Sequence, residues 1–528
     1  MPTSPGDAAV LAQGTRVPTI NGIPIANNEA GAAIQSITFN AGQAVVTAKY
    51  KDVGRIRVSM KDEASVTAAG GLRGATDAYV SQPADFQISA ITRPDGSSNP
   101  AAGVASGDVF VAAGAPFQAT VRVLDAEGDL APNYGRESSA EAIRLVSDSL
   151  VAPAGGRNGT LNNGAIGNAS GFARDTPDGV FTGTAFSFDE VGAIRLRASV
   201  ADADYMGSGA VSGGVSGIVG RFRPDHFDVT SNVPRFATGC GVGAFTWMGQ
   251  PFGFRPGEEA VLTVRAANAA NATTANYAGD WWKITNSALQ NRNYAVGSST
   301  LDQSGLPATS ADPAIASNGD GTGTLTFSTG SGLRSVRTTP TAPFDAEIAL
   351  SIDVLDTDGT SWTANPFTLG GTTASNGIAF DISKRFQFGR IQIGNSHGSE
   401  RVDLPVSLRT QRFDGLIFID DDYDSCSAIS TTHLMLSPTP GTLSTSPNIP
   451  NSPLLSGASG LFFDAPDTTG TVDIMVNLGP SGAGLPWLQY DWPADGNLDG
   501  AFDDDPSARI TFGIWEGRDS LIYLREAY

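Results

Sequence analysis

The sequence predicts an all-β protein, built from tandem β-sandwich domains and closed by a distinct C-terminal β-rich module. Three observations predict this class. Glycine (63 residues) and proline (31) are abundant while charged residues make up only 16%, a composition typical of many short strands joined by turns. Several segments alternate apolar and polar residues with a period of two, as half-buried strands do. A set of short motifs also recurs about 140 residues further along the chain, which indicates a copied structural unit.

The recurring motifs keep the same order in both copies. The pairs are Pro83-Ala84-Asp85-Phe86 with Pro224-Asp225-His226-Phe227, Ala115-Pro116-Phe117 with Gln250-Pro251-Phe252, Asn133-Tyr134-Gly135 with Asn276-Tyr277-Ala278-Gly279, and Thr182-Gly183-Thr184 with Thr322-Gly323-Thr324. Units of this length, with turns every 8–12 residues or so, suit immunoglobulin-like sandwiches.

The end of the unit appears a third time, near the N-terminus. Val53-Gly54-Arg55-Ile56-Arg57-Val58 matches Val191-Gly192-Ala193-Ile194-Arg195-Leu196, but no matching beginning precedes it. We therefore expect a truncated repeat there, and we attribute the lack of a signal peptide at the N-terminus to the same truncation. The predicted units are residues 1–80, the C-terminal part of a truncated sandwich, 81–220 and 221–380, two full sandwiches, and 381–528, the C-terminal β module.

Alternation in these end segments predicts which side chains face the core. We expect one apolar face and one solvated face, as in an antiparallel sandwich. The predicted core positions are Ile56, Val58 and Met60 in the first copy, Ile194, Leu196, Ala198 and Val200 in the second, and Ile348, Leu350, Ile352 and Val354 in the third.

Net charge and hydropathy exclude two classes of partner. The formal charge of −21 and pI near 4.4 oppose binding to nucleic acid, which depends on clustered lysine and arginine. No stretch approaches the roughly 20 apolar residues that cross a bilayer.

The two cysteines, Cys240 and Cys426, fit either a reducing compartment or a single disulfide in an oxidising one, and both interpretations stay open.

One acidic segment predicts a calcium site. Asp495-Gly496-Asn497-Leu498-Asp499-Gly500 reproduces the first half of an EF-hand-type loop, with oxygen ligands at alternate positions and glycine at the sixth. Position twelve is Pro506 instead of glutamate, so Asp503 or Asp505 would close the ligand shell. The predicted ligands are Asp495, Asn497, Asp499, Asp503 and Asp505. The alternative is a solvated acidic hairpin.

Other chemical motifs favour ordinary structural roles. The acidic run of residues 420–424 predicts a charged strand end that discourages edge pairing, although it also offers cation ligands. Of the adjacent Trp281 and Trp282, which we place in a strand, at most one is free to stack on a sugar; Trp487 is a further candidate for sugar stacking. The three histidines, His226, His397 and His433, lack zinc-ligand spacing.

A G-x-S-x-G motif at Gly394–Gly398 resembles a hydrolase nucleophile elbow around Ser396, followed by acidic residues and His433. The elbow requires a helix directly after the serine, whereas Val402–Leu408 alternates and contains Pro405. We interpret the motif as a glycine-rich turn.

From Gly220 onward the chain resembles the C-terminal region of MshQ-like proteins. The resemblance is carried by Gly220–Phe227, Phe245–Phe252, Phe388-Gly389-Arg390, Asn395–Glu400, Asp424-Ser425-Cys426 and the ending from Asp505 to Glu526. It implies a large exported protein of Gram-negative bacteria, associated with mannose-sensitive haemagglutinin (MSHA) type IV pili. The family supplies no catalytic residues to transfer.

The sequence therefore predicts a non-catalytic structural and interaction protein at the bacterial cell surface. Its expected partners are pilus or cell-surface proteins and, in one alternative, glycans, and its one expected cofactor is Ca²⁺. A carbohydrate-binding adhesin is the first alternative function, and a secreted hydrolase is the second.

Overall fold

The computed structural model describes residues 16–26, 31–32, 34–62, 72–137, 139–162, 172–175, 179–242, 244–297, 299–370, 384–438, 443–466, 468–492 and 500–513. The predicted all-β class is confirmed. The helical elements in these residues are three-residue 3-10 turns, at Gly279–Trp281, Thr431–His433 and Pro486–Leu488. No described helix has the length and apolar character needed to cross a bilayer.

The first unit consists of short antiparallel pairings. Its strands are β1 (Thr19–Ile20), β2 (Ile23–Pro24), β3 (Ala48–Lys49), β4 (Gly54–Ile56), β5 (Ser59–Asp62), β6 (Leu72–Ala75) and β7 (Tyr79–Ser81). The pairings are β2-β1-β3, β4-β7 and β5-β6. Ile56 and Val58 are buried as predicted, but Met60 is 53% exposed. The prediction for Met60 was wrong because, among the described residues, β5 pairs with β6 alone, in a two-stranded ribbon that leaves this side chain uncovered.

The second unit is a sandwich of two antiparallel sheets. Its strands are β8 (Asp85–Thr92), β9 (Phe117–Leu124), β10 (Ile143–Ala152), β11 (Leu161–Asn162), β12 (Phe172–Asp175), β13 (Val180–Phe188), β14 (Gly192–Val200), β15 (Ser212–Val215) and β16 (Val219–Phe222). One sheet has the order β11-β13-β9-β8, with β12 on β13, and the other has β10-β14-β15, with β16 on β14. The alternating residues of β14 lie in the core between them, as predicted.

The third unit carries the second full copy. Its strands are β17 (His226–Ser231), β18 (Phe245–Trp247), β19 (Val261–Ala267), β20 (Gln290–Val296), β21 (Leu301–Gly305), β22 (Ala314–Ser317), β23 (Thr322–Thr326), β24 (Gly332–Ser335), β25 (Phe344–Ala346), β26 (Ile348–Asp353), β27 (Phe367–Gly370) and β28 (Lys384–Gln387). Its sheets are β17-β19-β23-β22, β20-β26-β27, β21-β24 and β18-β28-β25. The predicted inward residues of β26 are buried.

The copied motifs occupy the same places in the two sandwiches. β9 lies between β8 and β13, and β19 lies between the corresponding β17 and β23. Both middle strands alternate buried and less buried residues along their length. The repeat read from the sequence is therefore a repeat of strand order.

The fourth unit has a different arrangement. Its strands are β29 (Gly389–Ile393), β30 (Ser396–Gly398), β31 (Leu404–Pro405), β32 (Leu408–Phe413), β33 (Phe418–Asp420), β34 (Leu434–Pro438), β35 (Pro447–Asn448), β36 (Phe462–Phe463), β37 (Gly470–Val476) and β38 (Ser507–Phe512). The sheets are β29-β32-β33, β30-β38-β37-β34 and β31-β36-β35. They enclose a separate core, which also takes in Phe245 and Trp247 from the preceding unit. The predicted boundaries at residues 80, 220 and 380 stay predictions.

Candidate functional site

The junction between the first and second units centres on a buried carboxylate. Asp52 is 1% exposed. Its Oδ1 accepts hydrogen bonds from the backbone N–H of Val53 at 2.8 Å and of Asn133 at 3.1 Å. The Asn133 side chain donates to the Tyr50 hydroxyl at 3.0 Å. An acidic side chain of one unit thus satisfies the backbone of the next.

The junction between the second and third units is built in the same way. Glu190 is 4% exposed, and its carboxylate accepts from the N–H groups of Val191 at 3.0 Å, Ala275 at 2.9 Å and Asn276 at 3.2 Å. The Asn276 side chain donates to the carbonyls of Arg157 and Val191 at 2.9 and 3.1 Å. The contact therefore ties three segments together across the junction.

These two junctions repeat one arrangement of residues and contacts. An acid and a valine precede the repeated glycine in both copies, as Asp52-Val53 and Glu190-Val191. Each valine packs in the core of the following unit: Val53 lies in the core of the second unit, and Val191 lies in the core of the third. Each acid meets the asparagine of the repeated Asn-Tyr motif. The repeat thus copies a connection as well as a fold.

An ion pair strengthens the second junction. The Arg221 guanidinium is buried and forms a bidentate pair with Asp358, at 2.5 and 2.8 Å, and its Nε donates to the Gly107 carbonyl at 2.6 Å. Arg221 ends the second unit and Asp358 belongs to a turn of the third. Bidentate arginine–carboxylate pairs are the most geometrically specific of the charged hydrogen bonds, so this pair restricts the relative orientation of the two units.

A disulfide connects the third and fourth units. Cys240 and Cys426 are bonded, with Cα atoms 5.4 Å apart and 186 positions apart in sequence. Cys240 lies in the core of the fourth unit although it precedes β18. β18 runs parallel to β28 directly beside it. The covalent bond therefore holds a loop of the third unit inside the fourth.

A half-buried arginine, Arg337, completes this third junction. The Arg337 guanidinium donates to the carbonyls of Gly389 at 2.9 Å and Phe502 at 3.2 Å, and also to that of Gln489. It lies over the Phe388 ring, 4.5 Å from the centroid. Burial lowers the pKa of Arg337 to about 10. The charge is held by carbonyl dipoles and an aromatic face, which makes this side chain a fixed connector between units.

The residues predicted to bind calcium are only partly placed. Asp495, Asn497 and Asp499 lie outside the described residues. Asp503 is exposed, and Asp505 Oδ1 accepts hydrogen bonds from the Leu478 N–H at 2.9 Å and Gln489 Nε2 at 3.0 Å. Calcium binding by this loop stays a prediction.

The acidic run after β33 differs from its predicted role. Asp420 behaves as expected, because it is exposed and pairs with Arg409 at 3.1 Å. Asp421 and Asp424 are 0% exposed. The interpretation as a charged strand end was therefore wrong for these two. Each uses one carboxylate oxygen to accept N–H groups of a tight turn, which carries both side chains inward.

The tryptophans pack against cores. Trp281 and Trp282 lie at a 3-10 turn, not in the strand that we expected, because Gly279 starts the turn with positive φ. Trp281 is buried, and Trp282 packs on Tyr277 with ring centroids 5.2 Å apart. Trp487 packs against the core of the fourth unit.

The serine motif lies in a purely extended context. Ser396 begins β30, which pairs with β38, and a turn and then β31 follow. The segment lacks the helix on which a nucleophile elbow depends. His433 ends a 3-10 turn, where its Nδ1 accepts from the Ser430 N–H at 3.2 Å.

The first junction is expected to respond to pH. Burial raises the pKa of Asp52 from 3.8 to about 6, so the folded chain binds more protons than the unfolded chain within this window. The contribution of Asp52 to the free energy of unfolding therefore falls as the pH rises from about 4 to above 6, by up to about 3 kcal/mol in total. Asp52→Asn keeps the accepting oxygen without the charge. We expect this variant to unfold at a higher temperature at pH 7 than the parent and to show a flatter profile in calorimetry between pH 4 and 7.

The control for this experiment is Asp77→Asn, which removes the same charge from an exposed position of the same unit. Its pH profile should follow that of the parent. An Asp52→Asn profile as steep as that of the parent would contradict the prediction.

Sequence reasoning missed the junction residues Asp52, Glu190, Arg221 and Arg337. A signal for the first two was present, because an acid precedes the repeated Val-Gly in both copies. No comparable pattern marks Arg221 or Arg337, since their partners are distant in sequence: Asp358 lies 137 positions from Arg221, and Gly389 and Gln489 lie 52 and 152 positions from Arg337.

Three domain models of one protein family match the chain. Residues 82–181 match the second domain of DUF6701, residues 190–381 match its third domain and residues 387–527 match its fourth domain. No curated protein sequence matches the chain. The three matches follow the order of the family and span most of the sequence, so the chain consists largely of the second, third and fourth DUF6701 domains.

Proposed function

We propose that this chain is a non-catalytic structural and interaction protein of the bacterial cell exterior, which holds its β-units in one fixed relative arrangement. The observation that supports this is the copied junction, in which a buried acid and a valine of one unit enter the next. Asp52 with Val53 and Glu190 with Val191 form it twice. A spacer that presents distant surfaces in a constant geometry requires such connections.

The connections between units leave little free chain. Residues 82–84 alone separate β7 from β8, residues 223–225 separate β16 from β17, and Phe388 alone separates β28 from β29. Domains joined by long polar linkers move relative to one another by default. Short connectors together with buried polar contacts oppose that motion.

The proposed compartment and pathway have separate support. A disulfide persists in oxidising environments such as the periplasm and the cell surface, and Cys240 and Cys426 form one. The resemblance to MshQ-like proteins suggests MSHA-type pili as the setting. Loss of surface pili or of adhesion in a bacterium lacking this protein would support the pilus setting, and normal piliation and adhesion would remove it.

Small-angle X-ray scattering of the full chain tests the spacer. We expect the wild-type profile to fit one arrangement of the units. Glu190→Ala leaves three N–H groups at the junction without their acceptor, which costs about 2–3 kcal/mol. The variant should need an ensemble of arrangements and show a larger radius of gyration.

Glu190→Gln is a graded comparison, because Oε1 accepts from Ala275 and Oε2 accepts from Val191 and Asn276, and the single amide oxygen can keep only one of these two sides. It should scatter between the parent and Glu190→Ala. A wild-type chain that already requires a broad ensemble would contradict the spacer. Identical scattering from Glu190→Ala and the parent would show that the carboxylate does not hold the junction.

A further inference from the structure

The loop that follows β33 buries two carboxylates beside the disulfide. Asp421 and Asp424 are fully buried, and a carboxylate oxygen of Asp424 lies within 4.8 Å of both sulfur atoms of the Cys240–Cys426 bond. Buried carboxylates are normally paired with a cation or ligate a metal, because an uncompensated charge in a protein interior is costly. The negative charge of this loop therefore requires a neutralising partner.

Only half of each carboxylate is used by the protein. Asp421 Oδ1 accepts from the Tyr423 N–H at 2.9 Å, and Asp424 Oδ1 accepts from the N–H groups of Cys426 and Ser427, both at 3.0 Å. The two Oδ2 atoms are also buried, and no group within the described residues forms a hydrogen bond with either. Each carboxylate thus presents one oxygen that lacks a donor.

A third buried oxygen, the hydroxyl of Thr410, lies on the same face of the β32–β33 ladder as the Asp421 side chain. Thr410 is buried, and its hydroxyl has no hydrogen-bond partner in the described part of the chain. The Asp421 N–H donates to the Thr410 carbonyl at 3.0 Å, which continues the β32–β33 ladder by one position beyond Gln411 and Asp420. Side chains directly opposite in an antiparallel ladder share a face, with Cβ atoms about 5 Å apart. The Thr410 and Asp421 side chains therefore lie on the same face of the ladder.

Gly457 closes the loop on its other side. Its N–H donates to the Asp424 carbonyl at 2.7 Å, and its own carbonyl accepts from the Thr410 N–H at 2.9 Å. A Cβ at Gly457 would lie 2.2 Å from the Asp421 carbonyl oxygen and 3.1 Å from Thr410 Oγ1. Both oxygens thus border the space that a side chain here would fill, which only glycine leaves open.

The surrounding charges do not neutralise the loop. Arg412 Nε is 4.0 Å from Asp421 Oδ2, beyond hydrogen-bonding distance, and Asp424 has no ion pair among the described residues. The exposed Asp422 adds further negative charge. Burial raises the pKa of Asp421; the Tyr423 N–H and the Arg412 charge oppose this shift, and the negative charges of Asp424 and Asp422 add to it. Two carboxylates and one distant guanidinium leave a net negative charge in the interior.

We propose that Asp421, Asp424 and Thr410 bind a calcium ion, through the two Oδ2 atoms and the threonine hydroxyl. Calcium takes carboxylate, hydroxyl and carbonyl oxygens in irregular geometry, whereas magnesium demands a near-octahedral shell and retains several waters. The ion neutralises the buried charge and ties β32, β33 and the disulfide loop together. This site is separate from the predicted loop at Asp495–Asp505.

Calcium titration of the full chain after EDTA treatment tests the site, by calorimetric binding at pH 7 and by thermal unfolding. We expect calcium to raise the unfolding temperature by about 5 °C and magnesium to raise it much less. Asp424→Asn and Asp421→Asn keep the Oδ1 acceptor of their turns while removing the charge. Each should weaken calcium binding at least tenfold.

Asp422→Asn is the matched control, since it removes the same charge from an exposed side chain of the same loop. It should bind calcium as the parent does. The double variant Asp495→Asn/Asp499→Asn separates the two acidic loops and should retain the response of this site. If an aspartate variant does not fold, Thr410→Val removes the hydroxyl at nearly constant volume and should weaken binding as well.

Several outcomes would overturn the proposal. Calcium that neither binds nor stabilises the parent at pH 7 would do so, and stabilisation by acid alone would show that a proton neutralises the pair. Unchanged calcium binding in Asp421→Asn and Asp424→Asn would also exclude the site. A response lost only in Asp495→Asn/Asp499→Asn would assign the ion to the other loop.

Discussion

Replacing both Cys240 and Cys426 with alanine is expected to destabilise the fourth unit by about 4 kcal/mol. The bond joins residues 186 positions apart, and cross-links that close long loops restrict the unfolded chain most. Alanine adds no polar group at the buried Cys240 position. Calorimetry of the full chain should show the transition of the fourth unit at a lower temperature.

A reducing agent provides the matched comparison. It should shift the wild-type transition in the same direction and leave the double-alanine variant unchanged. Equal unfolding temperatures for oxidised wild type and the alanine variant would show that the bond contributes no stability. A further consequence concerns calcium, because the disulfide anchors the loop that carries Asp424. We expect the alanine variant to bind calcium more weakly than the parent.

The second large effect is expected at the ion pair between the second and third units. Arg221→Ala leaves the mostly buried Asp358 carboxylate without its bidentate partner and the Gly107 carbonyl without its donor. Removing one member of a buried pair costs about 3–5 kcal/mol, because the remaining charge is uncompensated. Thermal unfolding should show this loss, and scattering should show a looser second junction.

A more exposed pair serves as the control. Arg197 pairs with Asp148 at 2.8 Å, and their side chains remain 37% and 23% exposed. Arg197→Ala should cost less than about 1 kcal/mol, since partly exposed pairs are screened by water. The double variant Arg221→Ala/Asp358→Ala should recover part of the loss. Equal costs for Arg221→Ala and Arg197→Ala would contradict the role of Arg221 in the junction.

The candidate junctions could be predicted only in part. Asp52 and Glu190 occupy the same position of the repeat, so comparison of the copies would have identified them. That they accept from the backbone of the next unit could not be predicted, because hydrogen bonds spanning about 80 residues leave no periodic signal. Arg221 and Asp358 are 137 positions apart. The chain has 54 acidic residues, and the sequence does not distinguish which of them pairs with Arg221.

The sequence by itself determined the all-β class, the repeated strand order and the inward faces of strands such as β14 and β26. These features are local, since alternation reports burial one residue at a time and copied motifs report copied folds. Only the tertiary structure decided that Asp421 and Asp424 are buried while their neighbour Asp420 is exposed, that Met60 is left uncovered, and that Cys240 meets Cys426. Each of those depends on which distant segment packs against the residue, and packing between distant segments is a property of the folded chain rather than of any local pattern.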